Sequence, residues 1–261
     1  MEQKSQTTVK NKKERYHYLD DLRGLTLLSM IAFHTTWDLV YIFGNDWAWY
    51  QSQAAYVWQQ SICWTFILLS GFCWNLGKKK WTRGLMVFGC GFVVSLVTIL
   101  FMPEDLVLFG VLTLIGSCML LLTPLDKILR YVPAMTGMIT SFAFFVLARN
   151  VNNGYLGFES WNLWKLPDTL YQGNLMSYLG FTDPSFYSTD YFSLFPWIFL
   201  YLTGYFLYQM VQKKGVLIKT KSSRTWCKPL EWIGRHSLPI YMLHQPVVFG
   251  LLTLLYRFIF V

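Results

Sequence analysis

The chain has 261 residues, of which 54% are hydrophobic and 14% charged; ordinary soluble domains carry about 25% charge, so the composition excludes a typical water-soluble enzyme and points to an integral membrane protein. The formal net charge of +8 is gathered in short segments between apolar runs, with no nucleic-acid motif beside them, and reads as a set of topology signals rather than a surface for nucleic acid. Cys63, Cys73, Cys90, Cys118 and Cys227 are odd in number, lack metal-ligand spacing and mostly lie inside apolar runs, where they read as small buried hydrophobes; no metal site is expected.

Residues 1 to 18 are polar and lysine-rich and read as a cytoplasmic tail, and 19 to 261 read as a single transmembrane domain without internal repeat or linker. The apolar run that starts at Leu22 has no small-residue cleavage site, which predicts a retained first helix rather than a removed signal peptide. That first stretch, LDDLRGLTLLSMIAFHTTWDLVYIF (19 to 43), is long enough to cross a hydrocarbon core of roughly 30 Å. Helical steps of three and four residues put Asp20, Arg23, His34 and Asp38 on one stripe of it. An ionisable group at membrane depth costs a few kcal/mol or more unless it faces protein or a wet cavity, so this stripe is the first place to look for chemistry.

Six further apolar segments follow, near 57 to 76, 84 to 101, 106 to 123, 134 to 149, 191 to 212 and 237 to 258. Arg149, Lys165 and Arg257 apart, the Lys and Arg residues fall in the tail, at the start of the first segment, in GKKKWTR (77 to 83), in PLDKILRYVP (124 to 133) and between Lys213 and Arg235. The positive-inside rule then predicts an all-α integral membrane bundle of about seven transmembrane helices with the N-terminus in the cytoplasm. The stretch from Asn150 to Asp190 is too polar to span and too long for a turn; it reads either as a solvated external loop anchored by Trp161 and Trp164 or as a lid over a substrate. Ser188, Thr189 and Asp190 are expected to cap the sixth span, and Pro196 to kink it. His17 reads as a solvated tail residue and His236 as interfacial.

His34 is the candidate base, since neutral imidazole takes up and returns a proton near neutral pH, and Asp38, one turn further, is its candidate orienting carboxylate. The structural alternative is that the two satisfy each other between helices. Arg23 lies about 16 Å below His34 on nearly the same face, at the edge where a guanidinium binds phosphate bidentately. In the last segment His244 lies about two turns beyond Arg235 and His236, either holding a donor or bonded to a neighbouring helix. Ser70 and Gly71 read as a site of close helix packing.

RGLTLLSMIAFH, an Arg followed by ten residues and a His, resembles the opening motif of the acyltransferase-3 membrane family. LDDLRGL, FILLSGF (66 to 72), DYFSLFPW (190 to 197) and IGRHSLPIYMLHQP (233 to 246) are similar to the related heparan-α-glucosaminide N-acetyltransferase catalytic-domain family, especially its small bacterial members. The resemblance implies a multi-pass protein of the bacterial inner membrane and a transfer of an acyl group, acetyl above all, from cytoplasmic acyl-CoA to a sugar or glycan-like acceptor on the other side, without a metal. It implies Arg23 and His34 as the essential pair, with Asp38 beside them, Arg235 and His244 on the donor side and Asp190 on the acceptor side. Two departures stand out: the loop GNDWAWYQSQ (44 to 53) has no His where animal glucosaminide enzymes carry one, and Thr113 stands where relatives often have His. The rival readings are a proton-coupled transporter, for which paired broken helices would be the sign, and a non-catalytic membrane scaffold.

Overall fold

The computed structural model describes residues 16–215 and 227–259. The tail's basic residues up to Arg15, and 216–226 of the later basic stretch, lie outside the described residues. Among the described residues, six helical stretches are long and apolar enough to cross a membrane: His17–Ile42, Lys80–Phe101, Val111–Leu129, Ala134–Asn153, Leu194–Lys213 and Ser237–Phe258. In element terms these hold α1 (His17–Trp37), α3 (Lys80–Phe101), α4 (Val111–Leu129), α5 (Ala134–Leu147), α7 (Leu194–Lys213) and α9 (Ser237–Ile259). A further 22-residue helix, α2 (Gln53–Trp74), is as long but more polar, because Gln59, Gln60, Ser61 and Thr65 interrupt its apolar run.

Contacts fix the directions of these helices. Trp58 of α2 donates from its indole nitrogen to Ser29 Oγ at 2.8 Å, while Arg23 reaches Cys73 at the other end of α2, so α1 and α2 are antiparallel. Ser141 of α5 meets Thr203 of α7 at 3.0 Å and Gly137 lies against Phe206, again antiparallel. The α2 and α7 pair runs parallel, and a Cβ added at Gly71 or at Gly204 would overlap the Tyr201 or Leu68 carbonyl. In a bilayer, where lipid is as apolar as Leu, such close backbone approach supplies the dispersion contacts that hold helices together. This is the packing expected of Ser70–Gly71. The core lies between α2, α4, α5 and α7, around Ile67, Leu114, Phe145, Leu200 and Tyr201, whereas α3 and α9 expose large apolar side chains, Phe92 at 63% and Leu243 at 60% among them. Apolar faces of that extent suit lipid rather than water.

Three local expectations change. The fourth apolar segment begins at 106, but α4 begins at Val111. Gly84, Phe88 and Gly91 of α3 pack on Leu120, Gly116 and Thr113, which puts Val111 level with Val93, about 12 Å short of the end of α3 at Phe101. Residues 102–110 therefore fold back to membrane depth, where non-helical backbone needs protein partners. These come from the stretch before α7: Thr189 N–H donates to the Leu106 carbonyl and Phe192 N–H to the Phe109 carbonyl, both at 2.9 Å, and Ser188 Oγ binds Leu108 N–H at 3.0 Å. Ser188, Thr189 and Asp190 are thus committed to this pairing and do not cap α7, whose N-cap is Ser193. The kink expected at Pro196 is present: Phe195, just before it, leaves helical geometry (φ −95°, ψ 133°) inside α7 near its start. Between Asn150 and Asp190 the chain forms an antiparallel hairpin, β1 (Tyr155–Phe158) and β2 (Trp161–Lys165), and a short helix, α6 (Gly173–Leu179). The hairpin adds a little sheet to an otherwise helical protein; Asn150 ties its turn through the Glu159 carbonyl at 2.8 Å, and Tyr56 of α2 donates to Glu159 at 2.7 Å.

Candidate active site

The basic end of the bundle is built where α1 meets α8 (Lys228–Arg235). Gly24 and Gly234 let the two backbones touch, since a Cβ on either would overlap the Leu230 or Asp20 carbonyl. That approach brings Arg23 and Arg235 to the same carboxylate: Arg23 Nη1 donates to Asp20 Oδ1 at 2.8 Å, and Arg235 Nε stands 3.8 Å from Asp20 Oδ2. Arg23 also donates to Cys73 Sγ at 3.1 Å, and Arg235 pairs with Glu231. His17 is not a solvated tail residue; it lies in the first turn of α1, 2.7 Å from Glu231 Oε1, because the same approach carries α8 across it.

A cavity of about 340 Å³ opens beside these arginines. Arg23, Arg83 and Arg235 stand at its basic end, Phe66, Ser70 and Met119 line its flank, and Val111 and Tyr241 reach its deep part. Asp190 closes in behind: it accepts a bond from Val111 N–H, the first residue of α4, within electrostatic reach of Tyr241 and Cys63. Its position at the head of α4 follows from the paired stretches 106–109 and 188–192.

Beyond Tyr241 the histidines meet. Tyr241 and His244 of α9 lie 5.3 Å apart, ring centre to ring centre, and His244 lies 5.1 Å from His34 of α1. One turn further along α1, and at the residue that follows His244 in α9, Gln245 Nε2 donates to Asp38 Oδ1 at 2.6 Å. The two helices thus share a ladder with a histidine rung and a carboxylate–amide rung. Asp38 is fully buried and opens a π-helical turn, Asp38–Ile42, a distortion often found at functional sites. The partner that the spacing alone suggested for Asp38 was His34; here the carboxylate is taken by Gln245 from the neighbouring helix. On the far side an open hollow of about 560 Å³ is lined by Trp37, Tyr41, Ile42, Glu104, Asp105, Tyr187 and Thr189.

The site residues expected from the sequence therefore fall into two groups. Arg23 and Arg235 share the cavity mouth, whereas His244 stands with His34 and Asp38 beyond it, and Asp190 lies between the groups. Gln245, Tyr241 and Arg83 were not singled out, although Gln245 follows His244 in the motif that was. No group of His, Cys, Asp and Glu fit to hold a metal occurs among the described residues.

The family model for the catalytic region of heparan-alpha-glucosaminide N-acetyltransferase matches residues 15–246. The chain belongs to that family. The matched stretch contains the whole arginine mouth and both rungs of the ladder, and it is a family of membrane acetyltransferases that in general use acetyl-CoA as donor. No match was found among curated proteins or among solved structures.

Proposed function

We propose that this family member transfers an acetyl group from cytoplasmic acetyl-CoA to a sugar or glycan-like acceptor on the opposite side of a bacterial inner membrane, with seven spans and an N-terminus in the cytoplasm. The observation that carries the reading is the order of parts along α1: an arginine-rimmed cavity, then the two histidines, then the buried carboxylate, then an acidic, aromatic hollow. Arg23, Arg83 and Arg235 suit the phosphates of the donor, planar guanidinium groups being the side chains best shaped to take phosphate oxygens in pairs. A pantetheine arm extended along the cavity carries the thioester towards Tyr241 and the histidines. The acceptor enters through Trp37, Tyr41 and Tyr187, whose faces suit a sugar ring, and passes Asp190 or Asp38 with its hydroxyl or amine.

The reaction needs one proton removed from the acceptor as it attacks the thioester carbonyl and one delivered to the leaving sulfur. His34 and His244 are the groups placed to handle it, and Asp38, bound by Gln245, holds a negative charge one turn away that steadies an imidazolium. The test is release of CoA thiol by the purified full chain in detergent, given acetyl-CoA with D-glucosamine or with water alone as acceptor. Wild type is expected to release thiol with a rate that saturates in acetyl-CoA; no release above the buffer rate with either acceptor would contradict the reading and favour a transporter or scaffold.

A further inference from the structure

The tautomer of His244 can be read from its surroundings. Its Nδ1 lies 2.5 Å from the carbonyl oxygen of Tyr241, and a carbonyl only accepts, so Nδ1 carries the hydrogen. In neutral imidazole the other nitrogen then has a free lone pair. That atom, His244 Nε2, is buried and has no hydrogen-bond partner. On the next rung the carboxamide nitrogen of Gln245 is spent on Asp38, and Gln245 Oε1 and Asp38 Oδ2 are likewise buried without partners. Three orphaned atoms within one turn of each other, all acceptors, are an unusual accumulation, because buried polar atoms normally find a partner and cost about 1–3 kcal/mol each when they do not. Chance packing would be expected to orphan donors as well. A ligand that brings several N–H or O–H groups satisfies all three.

We infer that His244 Nε2 is the atom that accepts the acceptor's proton, with Gln245 positioning Asp38 so that its free oxygen meets the same amine or hydroxyl. This rests on the acyltransferase reading above and makes His244 a catalytic residue in place of a holder of the donor. The acceptor's N–H or O–H bond breaks and its proton passes to Nε2; the freed electron pair attacks the thioester carbon; the C–S bond breaks with its electrons on sulfur; and the CoA thiolate takes the proton back from the imidazolium. Acyl-CoA and acceptor become acylated acceptor and CoA thiol, and the enzyme ends as it began. His34 packs beside this base, its ring centre 5.1 Å away.

His244→Asn separates this role from a structural one. The Asn carboxamide N–H reaches the place of the imidazole Nδ1–H, so the bond to the Tyr241 carbonyl survives, while the basic lone pair is gone. For the full-length chain with acetyl-CoA and D-glucosamine or water, the expected result is acetyl-CoA affinity within about twofold of wild type and thiol release reduced by two orders of magnitude or more, the usual worth of a general base. Thiol release within threefold of wild type would overturn the inference while leaving the acyltransferase reading intact; absence of release in wild type would defeat that reading instead. A second measurement does not depend on the variant's folding: nitrogen NMR of histidine-labelled wild type should show His244 with a protonated Nδ1 and a bare Nε2, and the opposite tautomer would overturn the inference.

Discussion

Arg23 shows how one side chain is fixed before any ligand arrives. Its guanidinium donates through Nη1 to Asp20 Oδ1 and, at 3.4 Å, to the Gly234 carbonyl, and through Nη2 to Cys73 Sγ, an arrangement spread over two nitrogens of a rigid planar fork that the single nitrogen of an ammonium does not reproduce. Arg23→Lys keeps the charge and loses the fork. Acetyl-CoA binding, measured directly on purified protein, should weaken roughly tenfold, the worth of about one charge-assisted hydrogen bond, and Arg23→Ala should weaken it further. Unchanged affinity in both variants would remove Arg23 from the donor site and leave its charge as a topology signal. The stripe of Asp20, Arg23, His34 and Asp38 was legible in the sequence because helical periodicity alone puts those residues on one face. Their partners were not, since Gln245 and Cys73 come from other helices and spacing within α1 says nothing of them. Thr113 is explained only by the fold: its side chain faces Gly91 across the close contact of α3 and α4, where an imidazole would not fit.

Among the elements, the segment from Asn150 to Asp190 departs furthest from what composition predicts. Its polarity and its Gly and Asn content read as loop, yet Asn150, Glu159 and Tyr56 tie a hairpin to α2 and α5, and it is 187–192, not Trp161 and Trp164, that approaches the site. Asp183 organises the turn around α6: it accepts from Gly173 N–H at 2.6 Å and from Ser185 N–H at 2.8 Å. The Gly173 bond first, then those of Ser185, hold its carboxyl down to about 2 from an ordinary 3.8. A depressed carboxylate contributes stability that is complete above its unfolded value and lost as pH falls through the folded one. Order around Gly173 should therefore persist at pH 5 and fade between about pH 4 and 2. Hydrogen exchange of the Gly173 amide, referred to amides within α7, should show that loss of protection in wild type, and Asp183→Asn should show the same reduced protection at every pH. Equal protection of wild type at pH 5 and pH 2 would contradict this.

For the whole molecule, length, hydropathy and charge alternation were enough to read an all-α membrane bundle, because a bilayer admits few other solutions for a chain of this composition. They also located the long helices, most to within about five residues at each end; α4 is the outlier, running from Val111 to Leu129 where the apolar run reads as 106 to 123. The return of 102–110 to membrane depth was not readable, as an apolar run that ends in extended backbone looks the same in sequence as one that stays helical. Yet that return sets the head of α4, and Asp190 with it, at the deep end of the cavity, and under the proposed function it brings the donor side and the acceptor side close to one another. Proteoliposomes that hold D-glucosamine inside, with labelled acetyl-CoA added only outside, test that arrangement most directly. The account predicts N-acetylglucosamine in the lumen and CoA thiol outside, with both reduced in Arg23→Ala vesicles at low acetyl-CoA and by two orders of magnitude or more in His244→Asn vesicles; product confined to the side that holds acetyl-CoA, or luminal product made by both variants as fast as by wild type, would contradict it.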